Sequence, residues 1–178
     1  MTPQSEEEQR LKKLMSKGLV MVAGLLAVPG AKDLDQQLAE VAYLQEVDKD
    51  PREARIAEFM DGFGAPASQY AEDFVEAADQ NSLDWRLLPS IAIIESGGGK
   101  NCRNNNIFGW QNCDRKFPSV QYGIHLVAKY LSSSKLYRRK SLDELLSTYN
   151  PAQEYRLRVK SVMEMLGPAN PITELALP

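Results

Sequence analysis

Ile91-Ala-Ile-Ile-Glu95-Ser-Gly-Gly-Gly99 decides how this chain is read. Pro89, Ser90 and the four apolar residues ahead of Glu95 predict a short buried helix. The three glycines give the backbone the freedom to end that helix and let another group approach closely. A carboxyl held against Ile91 and Ile94 loses hydration, and desolvation disfavours its charged form. Such a group keeps its proton near neutral pH, as the general acid of a glycosidic cleavage must. The same residues also fit a helix-end Glu pointing into water, and this segment alone does not separate the two.

Outward from that stretch the pattern is helical, and the fold class expected is mainly α. Leu34, Leu38, Val41 and Leu44 recur at three-to-four spacing and predict an amphipathic helix over 33–48. Asp48-Lys-Asp-Pro51 breaks it, and Pro51 suits the first turn of a helix over 51–61. After Gly62-Phe-Gly-Ala-Pro66, a third helix carries Tyr70, Phe74, Ala77 and Ala78 on one side. Asn81-Ser-Leu-Asp84 offers side-chain caps ahead of the Glu95 segment, whose regular hydrogen bonding starts near Leu87 with Pro89 in its first turn. Residues 97–118, rich in Gly and Asn, read as a loop or a short hairpin. Further helices are expected over 122–131, 141–148 and 152–166, then a loose proline-marked tail.

Composition sets outer limits. At 178 residues there is room for one ordinary domain and an N-terminal extension. Hydrophobic residues make up 43% and charged ones 25%, a globular balance. A net charge of −3 and a pI near 5.3 give no footprint for nucleic acid, which needs a dense basic face. Clusters at Lys135, Arg138, Arg139 and Lys140, and at Arg156, Arg158 and Lys160, read as solvated helix faces or as attraction to an anionic polymer such as the cell wall. His125 is the only histidine, so no metal site is expected, and no cofactor. Ser96 has Ile94 where a nucleophile elbow needs glycine. A Cys–His peptidase using Cys102 or Cys113 with His125 is the remaining alternative chemistry.

The N-terminus reads as targeting. Arg10-Leu-Lys-Lys13 and Lys17 precede the apolar run Leu19–Val28 and then Pro29-Gly-Ala31, in the order of a secretory signal. The run is too short to cross ~30 Å of hydrocarbon. Residues 1–31 are therefore read as a signal-like or membrane-targeting segment, with a buried or partner-bound helix as the alternative. Export to the periplasm or outside would suit the two cysteines. A Cys102–Cys113 bridge would close a loop of about a dozen residues and stabilise by roughly 3 kcal/mol. Two reduced thiols are the other reading.

Asn104-Asn-Asn-Ile-Phe-Gly-Trp110 begins nine residues after Glu95. It resembles the Asn-Asn-x-Phe-Gly signature of the glucosaminidase family of peptidoglycan hydrolases. Glu95-Ser-Gly-Gly-Gly-Lys100 matches that family's Glu-Ser-Gly-x-Gly-Lys segment, which carries its catalytic acid. Phe117-Pro-Ser119 resembles a shortened Phe-x-x-Tyr-x-Ser without its tyrosine. Tyr149-Asn-Pro-Ala-Gln-Glu-Tyr155 keeps two tyrosines six apart. Leu83–Ala92 also looks like the approach helix of lytic transglycosylases, which share the lysozyme-like fold.

The resemblance implies a lysozyme-like helical domain over 67–167, behind a helical extension over 32–66 and ahead of a flexible tail over 168–178. It implies cleavage of peptidoglycan glycan strands by a monomer, with Glu95 as general acid. For the second catalytic group it points to Asp114, or to Tyr149 orienting the N-acetyl group; with the N-acetyl oxygen as nucleophile no second carboxylate is needed. Asn105, Asn106, Phe108, Trp110 and Tyr155 are the candidate substrate contacts, aromatic faces covering sugar rings and amides bonding hydroxyls. Phe108 fits the core equally well, and either Asn can cap a turn. A lytic transglycosylase and a non-catalytic wall-binding protein on the same fold stay open as alternatives.

Overall fold

The computed structural model describes residues 50–170 and, before them, only Gln36, which is helical. The helix expected over 33–48, the signal-like run and the end of the tail lie outside the described residues. Six α-helices follow in order: α1 (Pro51–Gly62), α2 (Ala71–Gln80), α3 (Leu87–Ser96), α4 (Val120–Ser133), α5 (Leu142–Tyr149) and α6 (Gln153–Leu166). A 3-10 turn, Pro66–Tyr70, leads into α2. Residues 97–119 contain no strand, so the loop reading stands and the hairpin does not.

Helix starts follow local chemistry. The Asp50 carboxylate accepts from the Arg52 N–H at 2.8 Å, with Pro51 in the first turn. Ser119 caps α4 by accepting from the Tyr122 N–H, and Ser141 with Glu144 forms a reciprocal capping box on α5. Ahead of α3 the Asp84 carboxylate takes the Arg86 N–H at 3.0 Å and pairs with its guanidinium at 2.6 Å.

Helix α1, in the stretch read above as an extension, belongs to the same compact unit as the later helices. The reason is burial. Ile56 and Met60 of α1 are fully enclosed, and α1 packs against α2 and α6. Arg52 then joins α1 to α2 through Asp79 at 2.7 Å. Phe74, Ala77 and Ala78 of α2 are fully buried, as the spacing predicts. Helix α3 has no exposed residue, and Leu87, Leu88, Ile91 and Ala92 are all core. It packs against α6, while α2 packs against α4. That α3–α6 contact places the end of α3, and with it Glu95, beside Tyr155 and Arg158. Among the described residues no helix is long and apolar enough to cross a membrane.

Candidate functional site

Glu95 lies on the last turn of α3, which ends at Gly97 in the left-handed conformation at φ 64°. Its side chain is half-buried. Burial pushes its pKa above the ordinary carboxylate value, and the Tyr155 hydroxyl and the Arg158 charge hold it down in part. The loop comes back directly over this carboxyl. At Gly109, with φ 67°, an added Cβ would stand 2.6 Å from Glu95 Oε2, so any other residue there would displace the carboxyl.

Two tyrosines form the opposite wall. Tyr149 and Tyr155 stack with ring centroids 5.9 Å apart and planes within 8°. The Tyr149 hydroxyl donates to the Phe108 carbonyl at 2.6 Å, tying the end of α5 to the loop. Tyr155 is 7% exposed, and its buried hydroxyl makes no hydrogen bond of good geometry with any described residue. It faces Glu95 closely enough to lower that carboxyl's proton affinity, and its own pKa is driven up by burial and then by the Glu95 charge. Burial likewise raises the Tyr149 pKa, followed by the Glu95 charge. One carboxyl and one unsatisfied hydroxyl thus face each other under a glycine roof.

The loop is held by side chains. Asn106, fully buried, donates to the carbonyls of Trp110 and Arg115 and accepts from the Trp110 N–H at 3.0 Å. The Asn105 amide donates to the carbonyls of Phe117 and Pro118. Ser96 Oγ donates to the Ile107 carbonyl at 2.8 Å and accepts from the Gly99 N–H. These bonds do the work expected of a disulfide. Cys102 and Cys113 are both free, so the expected bridge is not formed. Cys102 packs against the core, whereas Cys113 lines a polar hollow on the loop.

The structure therefore sorts the expected site residues. Glu95, Tyr149 and Tyr155 come together. Phe108 is core at 1% exposure, and Tyr155 presents a hydroxyl in place of an open ring face. The amides of Asn105 and Asn106 are engaged within the loop. Trp110 stays half-buried, with its ring 5.1 Å from that of Tyr130 and 6.1 Å from that of Phe117. Asp114 is exposed and is not among the groups acting on Glu95. His125 lies 3.5 Å from Asp73, which joins α4 to α2 and leaves neither cysteine a histidine partner. No cluster of metal-ligating side chains exists among the described residues.

Sequence reasoning missed the roles of Gly109, Ser96 and Arg158. Arg158 had a readable signal: it stands three residues after Tyr155, one turn along the same face of α6. Gly109 and Ser96 stand at fixed positions of the two quoted segments, but their partners come from across the loop and could not be read.

No family model matches this chain, and no curated protein or solved structure matches it.

Proposed function

We propose that this helical unit is lysozyme-like and cuts the glycan strands of peptidoglycan, with Glu95 as the general acid. The observation that supports the reading is the half-buried carboxyl of raised proton affinity set against Gly109 and the Tyr155 hydroxyl. Glu95 gives its proton to the leaving oxygen of a β-1,4 linkage, and positive charge develops at the anomeric carbon. With no second carboxylate acting on Glu95, the substrate's own 2-acetamido oxygen is the nucleophile that closes on that carbon. Water then opens the ring intermediate and returns its proton to the Glu95 carboxylate. Trp110 offers the aromatic face for a neighbouring sugar, and the Tyr155 hydroxyl steadies the Glu95 carboxyl from the protein side.

Hydrolysis next to N-acetylglucosamine is the first choice, on the Asn-Asn-Ile-Phe-Gly and two-tyrosine segments. A single acidic group equally suits a lytic transglycosylase, in which a sugar hydroxyl attacks in place of water and leaves an anhydro end. The signal-like N-terminus puts the work in the cell envelope.

Glu95→Gln tests the reading. Loss of the acid removes about 10²–10⁴-fold of rate, so the variant should fail to clear isolated cell walls while still sedimenting with them. Clearing at the parent rate would overturn the enzyme reading. Binding with no clearing by either protein would leave a wall-binding role. Mass spectrometry of glycan ends, reducing N-acetylglucosamine or anhydro-muramic acid, separates the two enzymes.

A further inference from the structure

Beside the Glu95 roof, the loop forms a second concave feature with different chemistry. It is a hollow of about 450 Å³ lined by Asn101, Arg103, Asn104, Asn112, Cys113 and Asp114. That volume lies within the ~300–1,000 Å³ of small-molecule sites. The lining holds three amides, one guanidinium and one carboxylate, but no aromatic or aliphatic side chain. The structure shows no hydrogen bond or ion pair from the side chains of Asn101, Arg103, Asn104, Asn112 or Asp114 to any described residue. Arg103 and Asp114 line one hollow with opposite charges and yet do not pair.

The backbone at this place is unusual too. Gln111, Asn112 and Cys113 adopt left-handed φ of 52°, 55° and 67° in succession, and Asn104 does so at 58°. Asparagine tolerates this conformation, but for Gln111 and Cys113 it is costly, and such strain collects where a ligand is held.

We propose that the hollow is a subsite for the peptide that hangs from the wall glycan, an inference that rests on the glycan reading above. The absence of a stacking face argues against a sugar ring, whose apolar side has nothing to meet there. A short peptide with both charges matches the lining. Arg103 takes a carboxylate through its forked N–H groups, Asp114 takes an ammonium group, and the three amides bond the peptide's own N–H and C=O groups. Position fits as well. Asn112 is three residues from Gly109, a span of at most about 11 Å, and the Cys113 N–H donates to the Gly109 carbonyl at 3.3 Å. The hollow therefore continues from the backbone that covers Glu95.

The test uses the full chain and the free tetrapeptide L-alanyl-γ-D-glutamyl-diaminopimelyl-D-alanine, which contains no glycosidic bond. In an NMR titration its addition should shift the amides of residues 101–104 and 112–114. Arg103→Ala should weaken that binding about tenfold, with Arg103→Lys recovering part of it. The same Arg103→Ala variant should bind and cleave peptide-free glycan as the parent does. Absent shifts in those amides, or equal peptide affinity in Arg103→Ala, would overturn the subsite. Should the parent cut glycan without binding the peptide, only the subsite falls. Should it bind the peptide at the hollow without cutting glycan, the hydrolase reading falls and the peptide site remains.

Discussion

The helical core and the loop over 97–119 share apolar burial, through Ile107 and Phe108 of the loop, but differ in what fixes their backbones. In the core, Phe74, Leu88, Ile91 and Ile124 are fully enclosed, and apolar burial is the dominant contribution. In the loop, regular secondary structure is missing, and turn hydrogen bonds are joined by side-chain bonds from Asn106, Ser96, Asn105 and Tyr149 to its backbone. The difference teaches what each kind of contact can specify. Apolar packing is diffuse and tolerates redistribution. A buried amide with three assigned partners fixes a backbone path, and this path sets Gly109 on the Glu95 carboxyl.

Five substitutions probe that contrast, the largest effect first. Phe74→Ala should cost about 3–5 kcal/mol in denaturant unfolding, with the whole unit losing stability together. Asn106→Ala should cost less, about 1–3 kcal/mol, and the loss should be local. Hydrogen exchange would show the Trp110 N–H unprotected while α2 and α4 amides keep their protection. Uniform loss across the unit would erase the distinction between the two regions.

Gly109→Ala should cost about 1–2 kcal/mol for the left-handed backbone alone. The new methyl, 2.6 Å from Glu95 Oε2, must also push the carboxyl aside. Thermal unfolding gives the first effect, and a carboxyl NMR titration of Glu95 gives the second. Unchanged values for both would show that the loop does not lie on the acid. Tyr155→Phe should leave stability within about 0.5 kcal/mol, since the lost hydroxyl has no well-formed hydrogen bond to forfeit. Its signature is a higher Glu95 pKa, because the group that lowers it is gone.

The smallest effect concerns charge and pH. The folded-state pKa of Glu95 is raised, so the folded protein binds this proton more tightly than the unfolded chain does. Stability from this group is present below the unfolded carboxylate pKa, about 4.3, and is lost as pH rises through the folded value. Glu95→Gln should therefore melt a few degrees higher than the parent near pH 8 and at the same temperature near pH 3. A variant less stable at both would contradict burial as the cause of the raised pKa.

Much of the helical layout was legible because its causes are local. Pro51 after Asp50, Ser141 three before Glu144, and the apolar spacing of α2 and α3 act within a turn or two of chain. The extent of the core was not legible: Ile56 and Met60 read as part of an extension, and only packing against α2 and α6 made α1 a member of the unit. Glu95, Tyr149 and Tyr155 were singled out from the sequence and the fold brings them together, but not in the arrangement expected. Tyr149, expected at the chemistry, spends its hydroxyl on the Phe108 carbonyl, and Tyr155, expected as a sugar platform, brings its hydroxyl to the acid.

By itself, then, the sequence determined a helical chain with a carboxyl at the end of its most apolar helix and a glycine- and asparagine-rich loop after it. Only the tertiary structure decided that the loop folds back over that carboxyl, and that the buried Asn106 amide holds it there while both thiols stay free. The physical reason is range. Propensity and capping act between neighbours along the chain, whereas the hydration of Glu95 and the partners of Asn106 depend on groups the fold brings from elsewhere.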